Sequence, residues 1–152
     1  MRMSLNKVHV HAALTNALNE KYKEMRASLA ETDDSLSADA KSTAGDKHET
    51  GRAMAQLERE KIGGFIQQHE QLMSLAQRLD PALVTPTIRL GSLVKTSNGW
   101  YYISVGFGRI QVDDTYIFCI SPAAPLVSVL LGKKTGDQLL WQGNSISIET
   151  VH

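Results

Sequence analysis

The chain has 152 residues, of which 42% are hydrophobic, with one cysteine and equal numbers of basic and acidic residues. This length suits one ordinary domain or two small ones, and no apolar run approaches the ~18 residues that a membrane-spanning helix needs. The single cysteine, Cys119, excludes a disulfide framework, and we therefore expect the protein in a reducing cytoplasm. The net charge of zero does not suggest nonspecific binding to nucleic acid. A monomer is the expected oligomeric state.

The first half of the chain is predicted to form two helices. Residues 4–32 carry apolar side chains at three- and four-residue steps and contain no glycine or proline, which indicates an amphipathic helix. The small, polar residues 33–45 are typical of a loop, and a second helix is predicted over residues 46–79. The predicted seam residues are Leu14, Leu18, Tyr22, Met25, Leu29, Met54, Leu57, Ile62, Phe65, His69, Leu72, Ala76 and Leu79. Two such helices should pair antiparallel as a coiled-coil hairpin about 40 Å long, which makes residues 1–80 one domain.

The second half of the chain is predicted to form a small antiparallel sheet with one short helix. A proline ends the second helix, since the residue before it is disfavoured in the helical region, and residues 81–87 form a linker. Over residues 88–152, short β-branched and aromatic runs alternate with turn signals, of which Asn98-Gly99 is the strongest. The short helix is predicted near residues 125–131. The chain is therefore expected to be α+β, with a helical domain and a sheet domain.

The most acidic part of the chain lies where the two predicted helices are joined. Residues 31–50 contain six acidic and two basic residues, a local net charge of about −4. Within them, Asp46 and Glu49 are three residues apart, which puts two carboxylates on one helical face. The same spacing fits a capping box, so an ordinary helix start is the competing interpretation. As a functional pair, the two acids could not hold Mg²⁺ tightly alone, but they could complete a site supplied by another macromolecule.

Other side chains that can carry chemistry are predicted to be structural. His9 and His11 point to different faces of a helix, which disfavours a metal pair, and His69 falls on the seam. Cys119 lies between apolar strand residues without a candidate base nearby, so it is predicted to pack in the core. The sequence has no nucleophile elbow, phosphate-binding glycine loop or zinc-ligand spacing, and a stand-alone enzyme is therefore not expected.

Two stretches of the sequence resemble the Gre transcript-cleavage factors, the GreA and GreB family of bacterial RNA polymerase. Gly45, Asp46 and Glu49 match the family's tip motif, Gly-Asp-Leu-Ser-Glu-Asn-x-Glu-Tyr. A second stretch is similar to the family's Ser-Pro-x-x-x-x-x-Leu-x-Gly-Lys-x-x-Gly-Asp. Its matching residues in this chain are Ser121, Pro122, Gly132, Lys133, Gly136 and Asp137. The order of parts, hairpin, acidic tip, proline linker and sheet domain, extends the resemblance over nearly the whole chain.

The resemblance implies an accessory transcription elongation factor rather than an enzyme. It implies an N-terminal antiparallel coiled coil and an FKBP-like C-terminal domain that docks at the rim of the polymerase secondary channel while the hairpin enters that pore. Asp46 and Glu49 would help to hold a second Mg²⁺ at the polymerase active site, where it activates water to cleave backtracked RNA near its 3′ end. Ser121 and Pro122 are the implied polymerase contacts. No cofactor is expected in the isolated protein.

Departures from the family motif leave two alternatives open. Lys47 and His48 stand where the family has Leu-Ser, and Arg52 stands where it has an acid. The chain could therefore occupy the channel and compete with cleavage factors without stimulating cleavage. A third hypothesis, from another class, is a coiled-coil adaptor that binds a partner other than polymerase.

Overall fold

The structure is a computed structural model that describes residues 5–41 and 49–152, without side chains for residues 37–41 and 49. The described residues form three α-helices and six β-strands. This composition confirms the predicted α+β class, with long helices first in the chain and a sheet with one short helix after them.

The chain divides into two compact units. Residues 18–71 form the hairpin unit, and residues 5–17 together with residues 72–152 form the sheet unit. The first turns of the first helix therefore belong with the sheet, although 70 or more residues of sequence separate them from it. The predicted domain bounds, with residues 81–87 as a linker, stay a prediction, because a compact unit is not by itself an independently folding domain.

The two predicted long helices are confirmed, with a correction to the loop between them. Helix α1 spans Lys7–Lys41 and helix α2 spans Glu49–Gln77. The prediction of a loop beginning at residue 33 is wrong as far as Lys41; the rest of that predicted loop lies outside the described residues. Small polar side chains lower helix propensity only slightly when glycine and proline are absent. An ion pair from Asp33 to Arg59 of α2 also holds this part of α1 against its partner.

Within the hairpin unit, α1 and α2 run antiparallel and meet along a narrow seam. His69 Nε2 lies 2.7 Å from the carbonyl oxygen of Leu18, while Arg59, earlier in α2, pairs with Asp33, later in α1. The seam residues are Leu18, Tyr22, Met25 and Leu29 of α1 and Ile62, Ile66 and His69 of α2. They recur at alternating four- and three-residue steps, which is the heptad spacing of a left-handed coiled coil.

The predicted seam of α2 is wrong at three positions. Phe65, Leu57 and Met54 are 48%, 65% and 67% exposed, whereas Ile66, which the prediction left out, is 4% exposed. Phe65 and Ile66 lie three and four residues after Ile62, so both satisfy helical spacing. The antiparallel partner selects Ile66, and spacing within α2 could not reveal that choice.

The sheet unit contains one six-stranded sheet and one short helix. The strands are β1 (Leu93–Thr96), β2 (Gly99–Ile103), β3 (Gly108–Val112), β4 (Thr115–Ile120), β5 (Gln138–Trp141) and β6 (Asn144–Val151), and α3 (Pro125–Leu130) lies between β4 and β5. Their order across the sheet is β3-β4-β2-β1-β6-β5. The strands fall within residues 88–152, where the sequence predicts them from β-branched and aromatic runs bounded by turn residues.

The sheet is mostly antiparallel, as predicted, and one neighbouring pair in it is parallel. β2 and β4 run parallel with Tyr102 opposite Cys119, because β3 precedes β4 in the chain but lies outside it in the sheet. The other strand pairs in the described residues are antiparallel. The predicted Asn98-Gly99 turn joins β1 to β2, and Gly99 has a φ of 122°, a conformation that favours glycine.

The sheet unit buries side chains on both faces of its sheet. One face packs against α3 through a cluster formed by Ile88, Val94, Ile103, Val127, Leu130 and Ile148. Tyr102 is fully buried, and its hydroxyl lies 2.8 Å from Nδ1 of His11 in α1. Cys119 is 1% exposed, which confirms its predicted place in the core. Complete burial of an aliphatic side chain contributes about 1.5–3 kcal/mol, so these layers dominate the stability of the unit.

Candidate functional site

In the sequence, the predicted metal-binding pair falls between the end of α1 at Lys41 and the first residue of α2, Glu49. Asp46 falls outside the described residues, and Glu49 is the first residue of α2, without a described side chain. The pairing of Asp46 with Glu49 around Mg²⁺ therefore stays a prediction.

Basic and acidic side chains are interspersed on the described residues nearest this connection. Arg52 is exposed and lies three residues after Glu49, so the two residues occupy neighbouring positions on one helical face. The Asp33–Arg59 ion pair has both side chains about half exposed, which limits its contribution to about 0–1 kcal/mol.

Ser121 and Pro122, the predicted polymerase contacts, follow β4 and begin the turn into α3. Ser121 Oγ accepts a hydrogen bond from the Ala123 N–H at 3.1 Å, and the Ser121 carbonyl accepts one from the Ala124 N–H at 2.9 Å. These two bonds fix the turn, so the Ser121 side chain already has a structural partner. Pro122 is exposed next to it. Pro122 is therefore the freer of the two for contact with another molecule.

An apolar cleft of about 420 Å³ opens beside Ser121 and Pro122 in the sheet unit. Its apolar walls are formed by Leu72, Leu75, Leu79, Leu90 and Val105. Leu75 and Leu90 are 50% and 48% exposed, so part of the apolar wall of the cleft is open to solvent. No sequence pattern predicts this cleft, because its walls come from the end of α2, the residues before β1 and the β2–β3 connection. The one feature of the sequence that points to the cleft is Leu75, an apolar residue of α2 that lies one position away from the seam.

A hydrogen-bonded pair of ionisable side chains joins α1 to β2. Burial raises the pKa of Tyr102 above its usual range. Burial, and then the positive charge of Lys7, lowers the pKa of His11. Both groups are therefore neutral near pH 7, so the Tyr102 hydroxyl can donate to Nδ1 of His11 at 2.8 Å. The hydrogen bond joins α1 to β2, and we assign the pair a structural role.

A buried lysine ties the start of α1 to two later segments of the sheet unit. Lys7 is 6% exposed, and its Nζ donates to the backbone carbonyls of Leu83, Gly91 (2.9 Å) and His152 (3.3 Å). Burial lowers the pKa of Lys7, and the nearby negative charge of Asp80 partly opposes that change. Three donors meet three acceptors, so the ammonium is satisfied despite its burial.

No group of three or more His, Cys, Asp or Glu side chains among residues 5–41 and 49–152 could hold a metal ion. None of the helices in the same ranges has both the length and the apolar character needed to cross a membrane.

Comparisons with known proteins find similarity to a solved structure. No model of a protein family matches the chain, and no curated protein matches it. A solved structure, that of the transcription factor Gfh1, is similar over 92% of this chain and 94% of its own chain. The sequence identity is 22% and the TM-score is 0.39.

Proposed function

We propose that this chain is a Gre-like factor that binds bacterial RNA polymerase and inserts the end of its hairpin unit into the secondary channel. The observation that supports this most is the antiparallel pairing of α1 with α2. In this proposal Asp46 and Glu49 would act at one end of the two-helix unit, where the sequence resemblance to the Gre factors expects the tip acids. The apolar cleft beside Pro122 offers a second surface, where the same resemblance expects the polymerase contact.

Carboxylates are oxygen ligands of the kind that Mg²⁺ prefers, and Mg²⁺ commonly takes only one or two of them from a protein. Asp46 and Glu49 would thus complete, rather than form, a site in the polymerase. When bound there, the ion supplies an activated water for hydrolysis of the RNA backbone. The role of the two side chains is to add negative charge and two oxygen ligands at that place.

A second candidate function is occupancy of the channel without cleavage. The observation that favours it is the exposed Arg52, one helical turn after Glu49, together with Lys47 in the sequence between the acids. Positive charges within a Debye length of about 8–10 Å weaken the attraction of the acidic pair for a divalent ion. Such a factor would compete with cleavage factors for the pore.

The test is a transcript-cleavage assay on backtracked complexes with purified polymerase. Wild-type protein, Asp46→Asn and Glu49→Gln are compared with Glu31→Gln, which removes an exposed acid from α1. Cleavage by the wild type and by Glu31→Gln, but by neither tip variant, supports the first function. If the wild type yields no shortened RNA but inhibits an added Gre factor, the second function holds. Failure to cleave, to inhibit or to recover polymerase in a pull-down refutes both and favours the adaptor hypothesis.

Docking is tested separately from cleavage by a charge placed in the cleft. Leu75→Glu puts a carboxylate on a half-exposed apolar wall, while Leu140→Glu puts one on a residue of β5 that is 74% exposed and outside the cleft. We expect the first variant to lose polymerase binding and the second to retain it, as measured by co-sedimentation. Equal binding by the two variants would remove the cleft from the proposed interface.

A further inference from the structure

A second cavity of the sheet unit is lined by basic side chains that the proposed function does not use. It has a volume of about 230 Å³ and lies among the first turn of α1, the end of α2 and the residues that lead into β1. Ligand pockets for drug-sized molecules are typically about 300–1,000 Å³, so this cavity suits a smaller ligand.

Positive charge predominates in the lining of this cavity. Lys7, Arg78 and Arg89 contribute to it, against one acid of the lining, Asp80, which leaves a net charge of about +2 when all four are ionised. Lys7 is held in place by its three backbone carbonyls. Among the described residues, no carboxylate lies within 4 Å of the Arg78 or Arg89 guanidinium. Two arginines therefore face the cavity with their charges uncompensated by an ion pair.

The remaining walls combine one buried polar group with apolar side chains. Ser92 is 1% exposed, and its Oγ accepts a hydrogen bond from the Arg89 N–H at 3.0 Å, which fixes the backbone that carries Arg89. Leu83 and Leu90 are about half exposed on the same lining. An anion bound between the arginines would therefore have an apolar surface beside it.

We propose that this cavity binds a small phosphomonoester, with the phosphate between Arg78 and Arg89 and the organic part against Leu83 and Leu90. A phosphate dianion matches the net charge of the lining better than a carboxylate does. The guanidinium fork also pairs with phosphate oxygens through two parallel N–H···O bonds. Arg78 and Leu90 also line the apolar cleft beside Pro122, so the test uses the isolated chain without polymerase and leaves the tip acids unchanged.

The experiment titrates the full chain with three probes at low salt, by calorimetry and by backbone amide NMR. Phenyl phosphate carries both the dianion and an apolar ring, inorganic phosphate lacks the ring, and benzoate lacks the second charge. The test variant is Arg78→Gln/Arg89→Gln. Its control is Lys133→Gln/Lys134→Gln, which removes the same charge outside the cavity. Thermal unfolding of both variants confirms that they are folded.

Phenyl phosphate is expected to bind at least tenfold more tightly than inorganic phosphate or benzoate and to shift the amide signals of Gly91 and Ser92. The arginine variant should lose tenfold or more in affinity, and the lysine control should bind as the wild type does. Equal losses in the two variants would indicate attraction to net charge alone and overturn the proposal. So would absence of binding, amide shifts confined to other residues, or benzoate binding as tightly as phenyl phosphate.

Discussion

Replacing Lys7 with methionine should destabilise the sheet unit by about 2–4 kcal/mol. The substitution keeps a long apolar side chain but leaves the carbonyls of Leu83, Gly91 and His152 without their donor. Hydrogen bonds to a charged group contribute about 1.5–3 kcal/mol each. Of the three acceptors, only the carbonyl oxygen of His152, 3.3 Å from Nζ, lies beyond the usual N–H···O distance. The burial that lowers the pKa of Lys7 offsets part of that loss, because methionine avoids the cost of a buried charge.

Urea unfolding followed by tryptophan fluorescence measures this change directly. Trp100 in β2 and Trp141 in β5 are the two tryptophans of the chain, so the signal comes from the sheet unit alone. The control is Lys134→Met, which removes an exposed lysine of the same unit and should cost less than about 0.5 kcal/mol. If Lys7→Met and Lys134→Met unfold at the same urea concentration with the same slope, the three carbonyl bonds contribute nothing and the reasoning fails.

Three further predictions concern other buried side chains. Burial lowers the pKa of His11 below 6.5, so the unfolded chain binds more protons than the folded chain, and the free energy of unfolding should fall as the pH drops below 6.5. His11→Gln should reduce this fall, as measured by the difference between the urea midpoints at about pH 7.5 and about pH 5.5. Ile66→Ala should lower the stability of the hairpin unit by about 2–5 kcal/mol, and Phe65→Ala by much less, because Ile66 is buried and Phe65 is half exposed. A larger loss of stability for Phe65→Ala than for Ile66→Ala in thermal melts followed by circular dichroism would contradict the placement of Ile66 on the seam. Burial raises the pKa of Cys119 to about 12, so this single thiol should resist alkylation at pH 8 until urea unfolds the chain.

Features with local causes were predictable from the sequence. Asn98-Gly99 predicted a hairpin because the turn needs a positive φ that glycine adopts without strain, and Gly99 has it. Pro125 similarly predicted the start of α3. Proline is favoured in the first turn of a helix, because a backbone N–H there has no partner within the helix and its absence costs no hydrogen bond. His69 was placed on the seam by its spacing and is 5% exposed there.

Features that depend on distant partners were not predictable. Alternation of apolar residues is the same in a parallel and an antiparallel strand, so nothing within β2 or β4 indicated their parallel pairing. The extension of α1 beyond residue 33 is supported by Arg59, which comes from the other helix. The cleft beside Pro122 and the basic cavity around Arg89 each combine segments that are far apart in the chain, and no local pattern marks such a meeting.

The discontinuous sheet unit has a consequence for how the chain is made. The bond from Lys7 to His152 spans 145 residues, whereas that from Arg59 to Asp33 spans 26. Short-range contacts form sooner because they close smaller loops, so the hairpin can assemble while the ribosome is still adding the strands. The first turns of α1 carry the apolar residues Val10 and Leu14, which cannot be buried until those strands have been synthesised. Because its apolar side chains stay exposed until then, we expect a chaperone to bind this segment during synthesis.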